Sequence, residues 1–80
     1  MLKKVYPALY AAICKSGYLQ AEVAAGIGIS PQAMSDKMTG RSCFTIREVT
    51  AIGLFLNLSP EQYYSLFIRP LETSVKIKRI

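Results

Sequence analysis

The 80-residue chain contains no histidine, so it can build neither a serine–histidine nor a cysteine–histidine nucleophile, nor an imidazole metal site. Acidic residues are also scarce: the five carboxylates are scattered and form no acid–base pair. No glycine-rich loop follows a strand-like run, which removes the common phosphate cradle. The two cysteines, Cys14 and Cys43, make neither a disulfide framework nor a CxxC metal clip. They read as small buried or half-buried thiols in a reducing compartment. No apolar run approaches the roughly 20 residues of a bilayer span. The opening "MLKKVYPALYAAI" places two lysines before an apolar stretch, yet Pro7, two tyrosines and the lack of a cleavage site set it apart from a secretion signal. These absences argue against an enzyme, a cofactor, a metal, a small-molecule substrate or a membrane, and for a cytoplasmic protein.

What the chain does have is apolar content, 51%, enough for a core of its own. At this length the core is near the lower limit for independent folding, so self-association would add stability. The net charge of +5 suits an anionic partner. That charge is unevenly spread. Lys3, Lys4, Lys15, Lys37, Arg41 and Arg47 stand against Glu22 and Asp36 in the first part of the chain. Residues 48–68 carry only Glu48 and Glu61, whereas the last twelve hold Arg69, Lys76, Lys78 and Arg79 against Glu72. One side of the molecule is therefore expected to be positive and another indifferent.

Five short helices are expected. "YPALYAAICKSG" places Leu9 and Ile13 one turn apart, with Pro7 in the first turn and Gly17 as the stop. "LQAEVAAGI" aligns Val23 with Ile27 before Gly28 ends it. Ser30 is a good N-cap and Pro31 suits the first helical position, so a third helix runs from Pro31 to about Met38, with Gly40 as its stop. Thr45 with Glu48, and Ser59 with Gln62, are capping boxes that open the fourth and fifth helices. Val49, Ile52 and Leu56 share one face of the fourth, and Tyr63, Leu66 and Phe67 are the apolar residues of the fifth. The result is an all-α domain over residues 1–68 and a basic tail over 69–80. Within the tail, "SVKIKRI" alternates apolar and basic residues in the manner of a strand.

The second and third helices are joined by a short glycine-containing turn, the mark of a helix-turn-helix unit. In "LQAEVAAGIGISPQAMSDKMTGR" the chain resembles the phage repressor and Cro-like regulators known as the XRE family. The pattern is carried by Gln20, Val23-Ala24, Gly28-Ile29-Ser30, Met34 and Gly40. The downstream "FTIREVTAIGLFLNLSPEQYYSLF" is similar to the fourth and fifth helices of phage-encoded members, so the resemblance covers roughly residues 6 to 68. It implies a compact five-helix, lambda-repressor-like fold. It also implies a transcriptional regulator that binds a double-stranded DNA operator as a homodimer, with its third helix in the major groove.

The residues support the same reading. At about 100° per residue, Met34 and Met38 point together towards the core. The opposite face carries Gln32, Asp36 and Thr39, with Ala33 and Ser35 at its edges and Lys37 nearer the core. Small hydrogen-bonding side chains allow close approach and can read base edges. Gln32 and Asp36 are candidates for base readout, on adenine and on the cytosine amino group, and Ala33 for a thymine methyl. As the resemblance implies, Gln20 would bond a backbone phosphate, aided by the first-turn amides of its helix. Ser30, Ser35, Lys37, Thr39, Arg41 and Ser42 are further backbone candidates, with Arg47 beside them. Three departures from the family pattern stand out: Leu19 where a capping serine or threonine is usual, Gly26 inside the second helix, and Pro31 at a position that often meets a base. Asp36 adds a carboxylate that repels phosphates unless it finds a donor.

A pair of subunits on half-sites about 34 Å apart needs an interface. Tyr63, Tyr64 and Ile68 exceed what a short helix can bury, and are the candidates. Strand pairing through Val75, Ile77 and Ile80 is a second route, and a basic arm on DNA a third use of the tail. The competing function is a protein-binding adaptor, anti-repressor or antitoxin-like module that kept the fold without reading DNA.

Overall fold

The computed structural model describes residues 5–72 together with 75 and 77, and these form an all-helical chain with no strand among them. Helix α1 is Pro7–Lys15, α2 is Gln20–Ile27, α3 is Pro31–Met38 and α4 is Ile46–Leu56. Helix α5 runs over residues 60–72 in three consecutive pieces: α-helical Pro60–Tyr63, π-helical Tyr64–Ile68 and α-helical Arg69–Glu72.

Local chemistry sets these boundaries. Ser30 Oγ accepts the Ala33 amide at 3.1 Å to open α3. Both capping boxes form. Thr45 N–H donates to Glu48 Oε1 at 2.9 Å and Glu48 N–H to Thr45 Oγ1 at 3.1 Å, and Ser59 and Gln62 exchange the same pair at 2.8 and 3.3 Å. Helix α2 has half of this device: Leu19 N–H donates to Glu22 Oε1 at 2.7 Å, but leucine has no side-chain acceptor to return the bond. Gly28 ends α2 at φ +82, where a side chain would be strained, and its own N–H bonds back to the helix.

The core joins Tyr6, Leu9 and Ile13 to Val23 and Ala24 of α2, Met34 and Met38 of α3, Ile52 of α4, and Leu66 and Phe67 of α5. Helix α2 is central, packing on α1, α3 and α4. The close approach to α4 explains Gly26, whose sequence context suggested only a weakened helix: a Cβ there would collide with the Phe55 ring, which also packs at a tilt against Tyr18, 4.7 Å between centroids. Gly53 does the same for α5, since a Cβ on it would strike the Tyr63 hydroxyl.

The segment before α1 and the loop after α3 are tied together. Val5 N–H donates to the Met38 carbonyl at 3.0 Å, capping the end of α3. Phe44 stands edge-on to Tyr6 at 5.2 Å and to Phe67 at 5.7 Å, so three rings lock the chain start, the α3–α4 loop and α5. Contacts of this kind are each worth about 0.5–1.5 kcal/mol beyond burial.

Two expectations are corrected. Cys14 and Cys43 are exposed thiols, not buried ones, because each lies on the outward side of its segment. The helix also runs past residue 68. Pro70 has no N–H to return to the Leu66 carbonyl and its ring would crowd that oxygen. The helix widens instead, with Arg69 N–H bonded to the Tyr64 carbonyl, and continues through Pro70 to Glu72. Of the tail strand suggested by the sequence, Val75 and Ile77 are exposed and belong to neither helix nor strand. Ile80 and the rest of that segment lie outside the described residues.

Candidate nucleic-acid interface

Helix α3 is held from behind and open in front. Met34 and Met38 are buried at 0% and 3% exposure, which turns the opposite side outward. On that side Gln32 is exposed, and Ala33, Ser35, Asp36 and Thr39 are half-buried. Gln32 Nε2 donates to Asp36 Oδ1 at 3.0 Å, one helical turn away. The carboxylate that seemed to need a donor therefore has one within its own helix.

The end of α3 is fixed by backbone bonds. The Asp36 carbonyl accepts from Arg41 N–H at 2.8 Å and from Ser42 N–H at 3.3 Å. Thr39 gives its hydroxyl hydrogen to the Ser35 carbonyl at 3.0 Å, with a longer approach of 3.3 Å to that of Asp36. Its hydroxyl hydrogen is thus engaged within the helix. Ser30, by contrast, only accepts in its capping bond and keeps its own hydrogen to donate.

Lys37 is where the structure departs most from the expected site. Its Nζ lies 3.0 Å from Glu48 Oε1 and donates to the Cys43 carbonyl at 3.0 Å. The two side chains are only 13% and 17% exposed. The lysine read as a phosphate ligand is a tie between α3, the loop and the first turn of α4. Burial opposes ionisation of Glu48, but the Thr45 N–H, the Lys37 ammonium and the Thr45 hydroxyl outweigh it and hold the carboxyl below its usual range.

Arg41, Ser42 and Arg47 are exposed, and both arginines lack a side-chain partner among the described residues. Arg47 shares an open groove with Ile27 at the end of α2, Gly28 and Ile29 of the α2–α3 turn, and Glu48. Gln20 sits half-buried in the first turn of α2, where backbone amides lack helical acceptors. Arg47 and the turn preceding α3 thus border one groove, while Arg41 and Ser42 follow closely on the C-terminal end of α3.

The three candidates for a subunit interface separate. Tyr63 turns inward, with its hydroxyl 3.4 Å from the Thr50 carbonyl and its ring 6.5 Å from that of Phe67. Tyr64 and Ile68 are 42% and 50% exposed. Tyr64 donates its hydroxyl to Glu72 Oε2 at 2.5 Å and lies under the Arg69 guanidinium at 5.7 Å. The bond to Glu72 raises its pKa, with burial and the Glu72 charge adding and the Arg69 charge opposing.

Sequence reasoning missed the Lys37–Glu48 tie and the role of Val5 and Tyr6 behind α3. No local pattern signals a bridge across eleven positions. Two other features were legible but unused: the spacing of Gln32 and Asp36 suits an i,i+4 bond, and Pro70 marks where a helix must lose a bond. Among the described residues, no three carboxylates or thiols are grouped to hold a metal ion, and no helix is long and apolar enough to cross a membrane. No family model, curated protein or solved structure matches the chain.

Proposed function

We propose that the protein is a small transcriptional regulator of the repressor or Cro-like kind, with a lambda-repressor-like arrangement of its helices. In this reading it binds double-stranded DNA sequence-specifically as a homodimer. The observation that carries the proposal is the outward face of α3: Gln32 and Asp36 stand clear of the core while Met34 and Met38 anchor the helix beneath them. Helix α3 enters the major groove, Gln32, Ala33 and Asp36 meet base edges, and Gln20, Ser30, Ser35, Arg41, Ser42 and Arg47 meet the phosphates. Lys37 and Thr39 serve the interface indirectly, by holding α3 and its C-terminal loop. Tyr64 and Ile68 are the residues proposed to meet a second copy.

Binding to random-sequence duplexes across a salt series tests this. Two exposed arginines per copy, on two copies, give about four displaced counterions and a slope of log K against log salt near −4. A flat response would remove the proposal. A second reading is favoured by a separate observation: Ile46 and Leu54 on α4 are 83% and 77% exposed, more apolar surface than DNA binding requires. A protein-binding adaptor would use that surface and show little DNA affinity at any salt concentration.

A further inference from the structure

The outward face of α3 carries hydrogen-bond acceptors in excess. The one cation of the helix, Lys37, is turned back onto Glu48 and the Cys43 carbonyl, 3.0 Å from each. Gln32 and Asp36, one turn apart on the outward face, are joined by the 3.0 Å bond from Gln32 Nε2 to Asp36 Oδ1. A glutamine amide has two N–H donors and a carbonyl, whereas a carboxylate only accepts. With one N–H committed, the pair shows a duplex one N–H, Gln32 Oε1 and Asp36 Oδ2.

Building on the DNA-binding reading above, we infer that Gln32 and Asp36 act as one unit that selects exocyclic amino groups, adenine N6 through Gln32 and cytosine N4 through Asp36. Adenine offers N6–H to Gln32 Oε1 and takes the remaining N–H at N7, while cytosine offers N4–H to Asp36 Oδ2. Guanine presents two acceptors, O6 and N7, whereas the joined pair keeps a single N–H to donate. Thymine O4 meets the same carboxylate and is repelled. Asp36 is also a positioning residue for its neighbour, because its bond fixes which way the Gln32 amide points. Four residues of helix rise about 6 Å and stacked bases about 3.4 Å, so the two bases lie one or two steps apart.

Selection from randomised duplexes by the full chain, with Gln32→Ala, Asp36→Ala and the double variant, tests the unit. Alanine suits an exposed helical face, and circular dichroism confirms folding. Wild-type selection is expected to return half-sites with an adenine and a cytosine one or two steps apart. Asp36→Ala should lose the cytosine preference, by about 5- to 150-fold, and flatten the adenine preference as well. The double variant should lose less than the product of the single losses. Guanine at these positions, an unchanged adenine preference in Asp36→Ala, or multiplicative losses would overturn the inference. Salt-dependent binding without sequence enrichment would overturn it while leaving DNA binding intact. A flat salt response would overturn the DNA-binding reading itself.

Discussion

Replacing Glu48 with glutamine isolates the tie that holds α3 against α4. Glutamine keeps Oε1, so the Thr45 amide at 2.9 Å retains its acceptor and the helix keeps its cap. What disappears is the charge opposite Lys37 Nζ at 3.0 Å. A fully buried pair broken in this way costs about 3–5 kcal/mol and an exposed one about 0–1. At 13% and 17% exposure this pair lies between them, so we expect a loss of about 1–2 kcal/mol at pH 7. In a domain of this size that lowers Tm by about 4–15 °C. The pH dependence gives the sharper test. The folded pKa of Glu48 is depressed below 4.5, so its contribution is complete above that value and is lost as pH falls through the folded pKa. Thermal melts of both proteins on acidification from pH 7 should therefore draw together, with the wild type falling towards the variant. Equal stability at pH 7, or a gap that does not narrow as the solution is acidified, refutes the reasoning.

Other outcomes follow from the packing. Gly26→Ala gains up to about 1 kcal/mol of helix propensity but forces the Phe55 ring off Tyr18, and overpacking costs about 1–3 kcal/mol. The net effect should be destabilising in denaturant titration, with a changed near-ultraviolet spectrum. Gly53→Ala displaces the Tyr63 hydroxyl at a buried position and should cost about 1–3 kcal/mol by the same measurement. Ile68→Asp, at a half-exposed position, should shift a dimer towards monomer in sedimentation with little loss of thermal stability; an unchanged distribution places the interface elsewhere.

The helices were readable because their punctuation is local. Ser30, Thr45 and Ser59 each sit three residues before the amide they cap, and Gly28 and Gly40 are at positive φ where the apolar pattern stops. The inward side of α3 was equally plain, since Met34 and Met38 are one turn apart. Contacts between distant segments were not. Gly26 reads as a weak helix former until Phe55 is seen above it, and Lys37 as a free cation until Glu48 is found beside it. Tyr63 and Tyr64 are adjacent in sequence yet meet opposite fates, because only the first faces α4. The candidate site was therefore legible in its helix and its outward face. It was not legible in which charges remain to meet a partner.

Amide and side-chain NMR shifts during titration with a selected duplex would test the central claim most directly. The account predicts the largest changes at Gln32, Ala33 and Asp36, the Gln32 side-chain amide among them, with smaller ones at Gln20, Arg41 and Arg47. Changes confined to Ile46, Leu54 and their neighbours on α4, with the face of α3 unmoved, would contradict it.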